Sequence, residues 1–215
     1  MAWARAFALG VLVLLGAGAA VAAPAVRLTG VARKSDKLVV SVGLQDLFGP
    51  REMERLLSGF TTRVLIRVAL VRDDQNQSIA HAVRLSEIVY DLWDEKLRVR
   101  VSADKPGKAE THEVLAPQAA VDIATSLIDF PLVDVGKLDV GAVYHVSFRA
   151  DLNPISEELV TNVRRWLSRP GSRAGSGESF FGSFVSVFVN PRVEDSERML
   201  GLVSQSFQIP GGASP

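Results

Sequence analysis

Three histidines, His81, His112 and His145, are the only imidazoles in 215 residues, and each is more than thirty positions from the next. A metal centre built from one helix or one hairpin needs ligands at short paired spacing. The chain also has no cysteine, which removes thiolate ligands and disulfides. No metal and no cofactor is therefore expected. Nucleophilic hydrolysis needs a serine beside a base. Serines are plentiful, but none sits in a G-x-S-x-G elbow. A Ser/His/Asp triad is assembled in space, not in sequence, so a hydrolase without a recognisable motif is the alternative class. Carboxylates cluster at Asp73-Asp74, at Asp91 with Asp94-Glu95, and at Asp129 with Asp134. These positions read first as turn residues. Gly136, Gly141 and Gly171 fall outside any G-x-G-x-x-G phosphate loop.

Two surfaces are better candidates for binding. Arg63, Arg67, Arg98, Arg100 and Arg149 all alternate with apolar neighbours, so strand geometry sends them to the side away from the core. If their strands are adjacent, they form a basic stripe for an anionic envelope component or an acidic partner. The competing reading is cross-strand pairing with Glu87, Asp91, Glu113 and Asp151. Further on, Phe181, Phe184 and Phe188 recur at helical spacing beside the Gly/Ser-rich stretch 170–178. That apolar face suits either a membrane surface or a partner groove, or the interior of the domain itself.

The elements that must position these residues are mostly strands. Period-two alternation runs through Leu38, Val40, Val42 and Leu44, through Val64, Ile66, Val68 and Leu70, through Leu97, Val99 and Val101, and through Tyr144, Val146, Phe148, Ala150 and Leu152. Between residues 80 and 93 the phase changes from Val83 and Leu85 to Ile88, Tyr90 and Leu92, which predicts a β-bulge near Ser86-Glu87. Strands over 60–72, 79–92 and 95–104 are too close in sequence for crossovers and should form an antiparallel meander. Helices are expected over 50–57, 117–128 and 155–167, the last opened by Asn153-Pro154. Residues 179–190 fit either a helix or a strand, with the four-residue recurrence of polar positions favouring the helix. A last strand is expected over 199–209. The fold class is mainly β with a few helices (α+β): an antiparallel meander or β-sandwich-like sheet, helices covering one face.

Residues 6–26 carry no charge and follow Arg5. A short basic start, an apolar stretch over 7–15, a small-residue tract and Ala20-Val21-Ala22 as an A-x-A site read as a signal peptide spanning 1–22. An uncleaved N-terminal anchor is the competing reading. Both place the remainder outside the cytoplasm: a β-rich domain over 23–169, the Gly/Ser loop 170–178, and a Phe-rich segment with a final strand over 179–215. With 24 basic and 24 acidic residues the formal net charge is +0, which gives no electrostatic basis for nucleic-acid binding.

The strand pair over 26–46, the Pro-Arg-Glu-Met-Glu-Arg-Leu-Leu-Ser-Gly helix running into Phe60-Thr-Thr-Arg-Val-Leu-Ile-Arg-Val, the strand ending Tyr90-Asp-Leu-Trp-Asp94, and the strand Gly141-Ala-Val-Tyr-His-Val-Ser-Phe-Arg149 form a recognisable order. Over roughly residues 26–210 it resembles a bacterial family of exported proteins, domain of unknown function 4390. The resemblance implies an envelope location and carries over no catalytic or ligand residues. The expected role is a non-catalytic, periplasmic or inner-membrane-anchored module that binds an envelope protein or a membrane surface.

Overall fold

Alternation sets which side chains meet. Val64, Ile66, Val68 and Leu70 on one strand, Tyr144, Val146, Phe148, Ala150 and Leu152 on a second, and Leu97, Val99 and Val101 on a third all lie in one buried cluster. The computed structural model describes residues 28–75, 77–103, 109–154, 161 and 196–209. Within them the large sheet is built from β3 (Thr62–Arg72), β4 (Gln77–Asp91), β5 (Lys96–Ala103), β6 (Ala109–Val114) and β8 (Val143–Pro154). Strands β3 to β5 form the expected antiparallel meander, β6 extends it by one strand, and β8 pairs with the free side of β3.

The outer edge of β8 is paired by two short strands, β9 (Ser196–Val203) and β10 (Phe207–Gln208). They divide where the expected last strand was continuous. Ser204 accounts for the break: its backbone N–H donates to Val146 O while Val146 N–H donates to Ser204 Oγ, both at 2.8 Å. A side chain thus takes the place of a ladder carbonyl.

A smaller sheet covers the core face of the large one. Its strands are β1 (Leu28–Lys34), β2 (Lys37–Gly43) and β7 (Ser126–Asp134), in the order β1-β2-β7 and all antiparallel. Leu38, Val40, Val42 and Leu127 from this sheet join the central cluster. So do Leu56 of α1 (Pro50–Leu56) and Ala120, Val121 and Ala124 of α2 (Pro117–Thr125). The architecture is mainly β, with a small sheet and helices together closing one face.

The bulge expected at Ser86-Glu87 is absent. β4 keeps unbroken register with β3 from Thr62↔Ile88 to Leu70↔Ala80, and the ladder shifts only between Leu70 and Val71, which face Ala80 and Ser78. Ile79 is the extra residue. The phase change read from the sequence has another cause: β4 is buried on both sides. Val83 and Leu85 face away from the central cluster and are still buried, with Leu65 and Ala69 beside them. Two polar residues, Arg84 and Ser86, occupy the core-facing positions instead. Both reach the end of α2. Arg84 donates to the carbonyls of Ile123 and Ser126, and Ser86 Oγ donates to Ala124 O at 3.4 Å. Helix ends leave carbonyls unpaired, and a guanidinium is a fitting donor there.

That capping also corrects the helix expected over 117–128. It stops at Thr125, Leu44 N–H takes the Thr125 carbonyl at 3.2 Å, and the chain continues as β7. Ile128, expected on the helix face, is an exposed strand residue. Strand β6 has no counterpart among the expected strands: it is exposed on both sides and shows no apolar alternation. Asn153 and Pro154, expected to open a third helix, close β8. Asn153 Oδ1 accepts the Arg63 N–H at 2.8 Å. Apart from Thr161, the expected helix 155–167 lies outside the described residues, as do the leader 1–22, the loop 170–178 and the segment 179–190.

Candidate functional site

The arginine face exists as a geometric object. Arg63 and Arg67 on β3, Arg149 on β8, and Arg98 and Arg100 on β5 all project from the side of the large sheet opposite the central cluster. Most of its charge is neutralised in place. Arg63 Nε pairs with Glu87 at 3.3 Å, and Arg98 Nε with Glu113 at 3.5 Å across the β5–β6 ladder. Arg149 pairs with Asp151 at 3.2 Å. Arg100 is exposed, opposite Glu87 and Thr111 in register.

Arg67 departs most from expectation. It was placed on an open surface, yet its side chain is only 1% exposed and it pairs with Asp151, itself 3% exposed. Burial pulls its pKa below the ordinary arginine value, and the Asp151 carboxylate acts against that shift. Arg67 is therefore not a surface contact residue. Arg63, Arg67 and Arg98 thus pair across the ladder, and Arg149 pairs within β8.

The Phe181, Phe184 and Phe188 surface lies outside the described residues.

A polar cluster sits where β3 turns into β4. His145 Nδ1 lies 2.5 Å from Asp73 Oδ1, and Ser206 Oγ donates to Asp73 Oδ2 at 2.8 Å. A carboxylate only accepts, so Nδ1 carries the proton. The His145 hydrogen bond, then the Ser206 hydrogen bond, hold the Asp73 pKa below the usual carboxylate value. The residue types are those of a hydrolytic triad, but the order is not. In a triad the imidazole stands between carboxylate and serine and takes the serine proton. Here the carboxylate stands between the other two, and among the described residues Ser206 donates to that carboxylate and not to an imidazole. The cluster ties the β3–β4 turn and the start of β8 to the segment entering β10.

The other two histidines stand apart. His81 on β4 is half-buried, which lowers its pKa, and His112 on β6 is exposed. Among the described residues no group of three metal-ligating side chains comes together. The spacing Ser102-Ala-Asp-Lys105 matches Ser-x-x-Lys. That signature works where residues i and i+3 share a helix face. Ser102 is on strand β5, and Lys105 lies outside the described residues.

The surface that sequence reading missed is the opposite end of the large sheet. There α1 ends, β3 begins, β4 turns into β5, and β6 gives way to α2. Large apolar side chains stand out from each connection: Leu57, Phe60 (78% exposed), Leu92 (63%), Trp93 (95%) and Leu115 (73%). Local chemistry fixes the Trp93 turn. Asp91 Oδ1 accepts the N–H groups of Trp93 at 3.0 Å and Asp94 at 3.3 Å, which also lowers the Asp91 pKa. Glu95 completes the turn at φ 51°. Gly59, at φ 79°, brings the α1–β3 connection against this turn: a Cβ there would meet Leu92 Cδ1 at 3.2 Å. A side chain would strain both backbone and contact. Among the described residues Asp94 and Glu95, beside Trp93, make no ion pair. The readable signal was a Leu-Trp pair placed in a turn among acids, where large apolar residues have nothing to pack on.

Searches against protein-family models, curated proteins and solved structures find no match to this chain.

Proposed function

We propose that this chain is an exported, non-catalytic module of the cell envelope that binds a partner through the apolar end of its large sheet. One observation carries the reading: Phe60, Leu92, Trp93 and Leu115 are presented together, each mostly exposed, on connections held by hydrogen bonds and a tight glycine approach. Scattered exposed apolar residues are ordinary, but several large ones gathered at one end of a sheet, aromatics among them, have the composition of a binding surface. The charge-free run 6–26 supports export, as does the resemblance to the exported family described above. Among the described residues no helix is long and apolar enough to cross a membrane.

The hydrolase alternative has one cluster to rest on, Asp73 with His145 and Ser206, and the order of its hydrogen bonds leaves the serine unactivated. The arginine face is the competing binding surface. A photo-crosslinking side chain placed at position 93 or at position 100, in full chains expressed in living bacteria, separates the two. The apolar-end reading expects adducts from position 93 and few from position 100. Adducts mainly from position 100 would move the site to the arginine face.

A further inference from the structure

We infer that the apolar end docks on a phospholipid bilayer whose headgroups are zwitterionic, with Trp93 and Phe60 seated at the boundary between headgroups and acyl chains. The inference rests on the binding-module reading and names its partner. Its first ground is shape and residue type. The side chains project from three separate connections, and Phe60 and Trp93 keep 78% and 95% of their surface in water. A fluid bilayer accepts such separate projections, and tryptophan in particular favours the interface, where its ring is apolar and its N–H stays hydrated.

The second ground is charge. Interfacial elements that seek anionic lipid carry lysines and arginines around their apolar residues. Here the residues following Trp93 are Asp94 and Glu95, both exposed and without an ion pair among the described residues. They repel an anionic surface and suit the ammonium groups of zwitterionic lipid.

The third ground is direction. β2 leads through Leu44 and the 3-10 turn Gln45–Leu47 into α1, whose end reaches Gly59 beside Leu92. β1 is antiparallel to β2, so β1 runs away from the apolar end, and Leu28 is its residue nearest that end. The charge-free run 6–26 precedes Leu28 in sequence. A leader retained in the bilayer would therefore present this end of the domain to the membrane.

The test uses the full chain with Trp3→Phe and Trp166→Phe, which leaves Trp93 as the single tryptophan. Fluorescence is read on vesicles of phosphatidylethanolamine and phosphatidylcholine carrying brominated acyl chains. A second chain, with Trp93→Phe and Val140→Trp added, places the only tryptophan at an exposed position at the other end of the domain. The expected result is strong bromolipid quenching of Trp93, little at position 140, and weaker quenching of Trp93 when phosphatidylglycerol is added. Phe60→Ser should weaken vesicle binding through this end by about tenfold, the loss expected from removing one buried aromatic side chain. Equal quenching at both positions, or none at Trp93, overturns the inference. If quenching fails while position 93 still crosslinks to a protein in cells, the lipid assignment falls and the binding-module reading stands. If both fail, both fall.

Discussion

Arg67 and Asp151 form an ion pair inside the protein, on the side of the large sheet that faces away from the central cluster, with side-chain exposures of 1% and 3%. Asp151 also holds Arg149, which lies directly across the β3–β8 ladder from Arg67. One carboxylate thus separates two arginines that would otherwise face each other.

Removing that carboxylate should be severe. Asp151→Asn leaves Arg67 buried without its counter-charge and opposed to Arg149, and the expected loss is about 3–5 kcal/mol of unfolding free energy. Replacing both members with apolar residues, Arg67→Met with Asp151→Leu, should recover part of that loss, because the desolvation penalty of Arg67 disappears with its charge while Arg149 still loses its partner. Urea titration of the three chains checks both outcomes.

The Asp73 cluster makes stability depend on acid pH. The folded-state pKa of Asp73 lies below its ordinary 3.8, chiefly through the His145 hydrogen bond. A depressed carboxylate pKa contributes stability that is fully present above the unfolded value and is lost as pH falls through the folded value. The wild-type chain should therefore melt higher than Asp73→Asn at pH 6. The gap should shrink below pH 3.8 and close as Asp73 protonates in the folded state. Thermal melts of the two chains between pH 6 and 2 test this, and a gap that persists at the acid limit would contradict it.

The same cluster predicts a chemical silence. Ser206 donates to Asp73, not to an imidazole, so its hydroxyl keeps the weak nucleophilicity of an ordinary serine. A fluorophosphonate probe should leave Ser206 unlabelled at neutral pH, as read by peptide mass spectrometry. Stoichiometric labelling at Ser206 would revive the hydrolase reading.

The sequence exposed the fold best where burial is mainly one-sided and hid it where core-facing positions are polar or burial is absent. β5 and β8 alternate cleanly because one face meets the central cluster and the other is polar, and β3 was legible from Val64, Ile66, Val68 and Leu70 although Leu65, Arg67 and Ala69 are buried on its far face. β4 looked bulged because Val83 and Leu85 are buried on the far side while Arg84 and Ser86 serve the end of α2. β6 is exposed on both faces and gave no period at all. The site was less legible for a related reason. Alternation assigns a side to an arginine but not its depth, so Arg67 read as exposed. Its partner is 84 residues away and becomes visible only through the β3–β8 register. Trp93 and Phe60 belong to no periodic element. Their exposure follows from how the α1–β3 connection meets the β4–β5 turn, a contact fixed by Gly59.

The most direct test of the central claim exploits a chain that has no cysteine. Single cysteines are introduced by Trp93→Cys at the apolar end and by Val140→Cys at the other end, both at exposed positions. Intact bacterial spheroplasts producing each full chain are treated with a membrane-impermeant maleimide. An exported module occupied at its apolar end predicts rapid labelling at position 140 and protection at position 93, with the protection lost after detergent solubilisation. Equal labelling at the two positions in intact spheroplasts would contradict occupation of that end, and labelling of neither until lysis would contradict export itself.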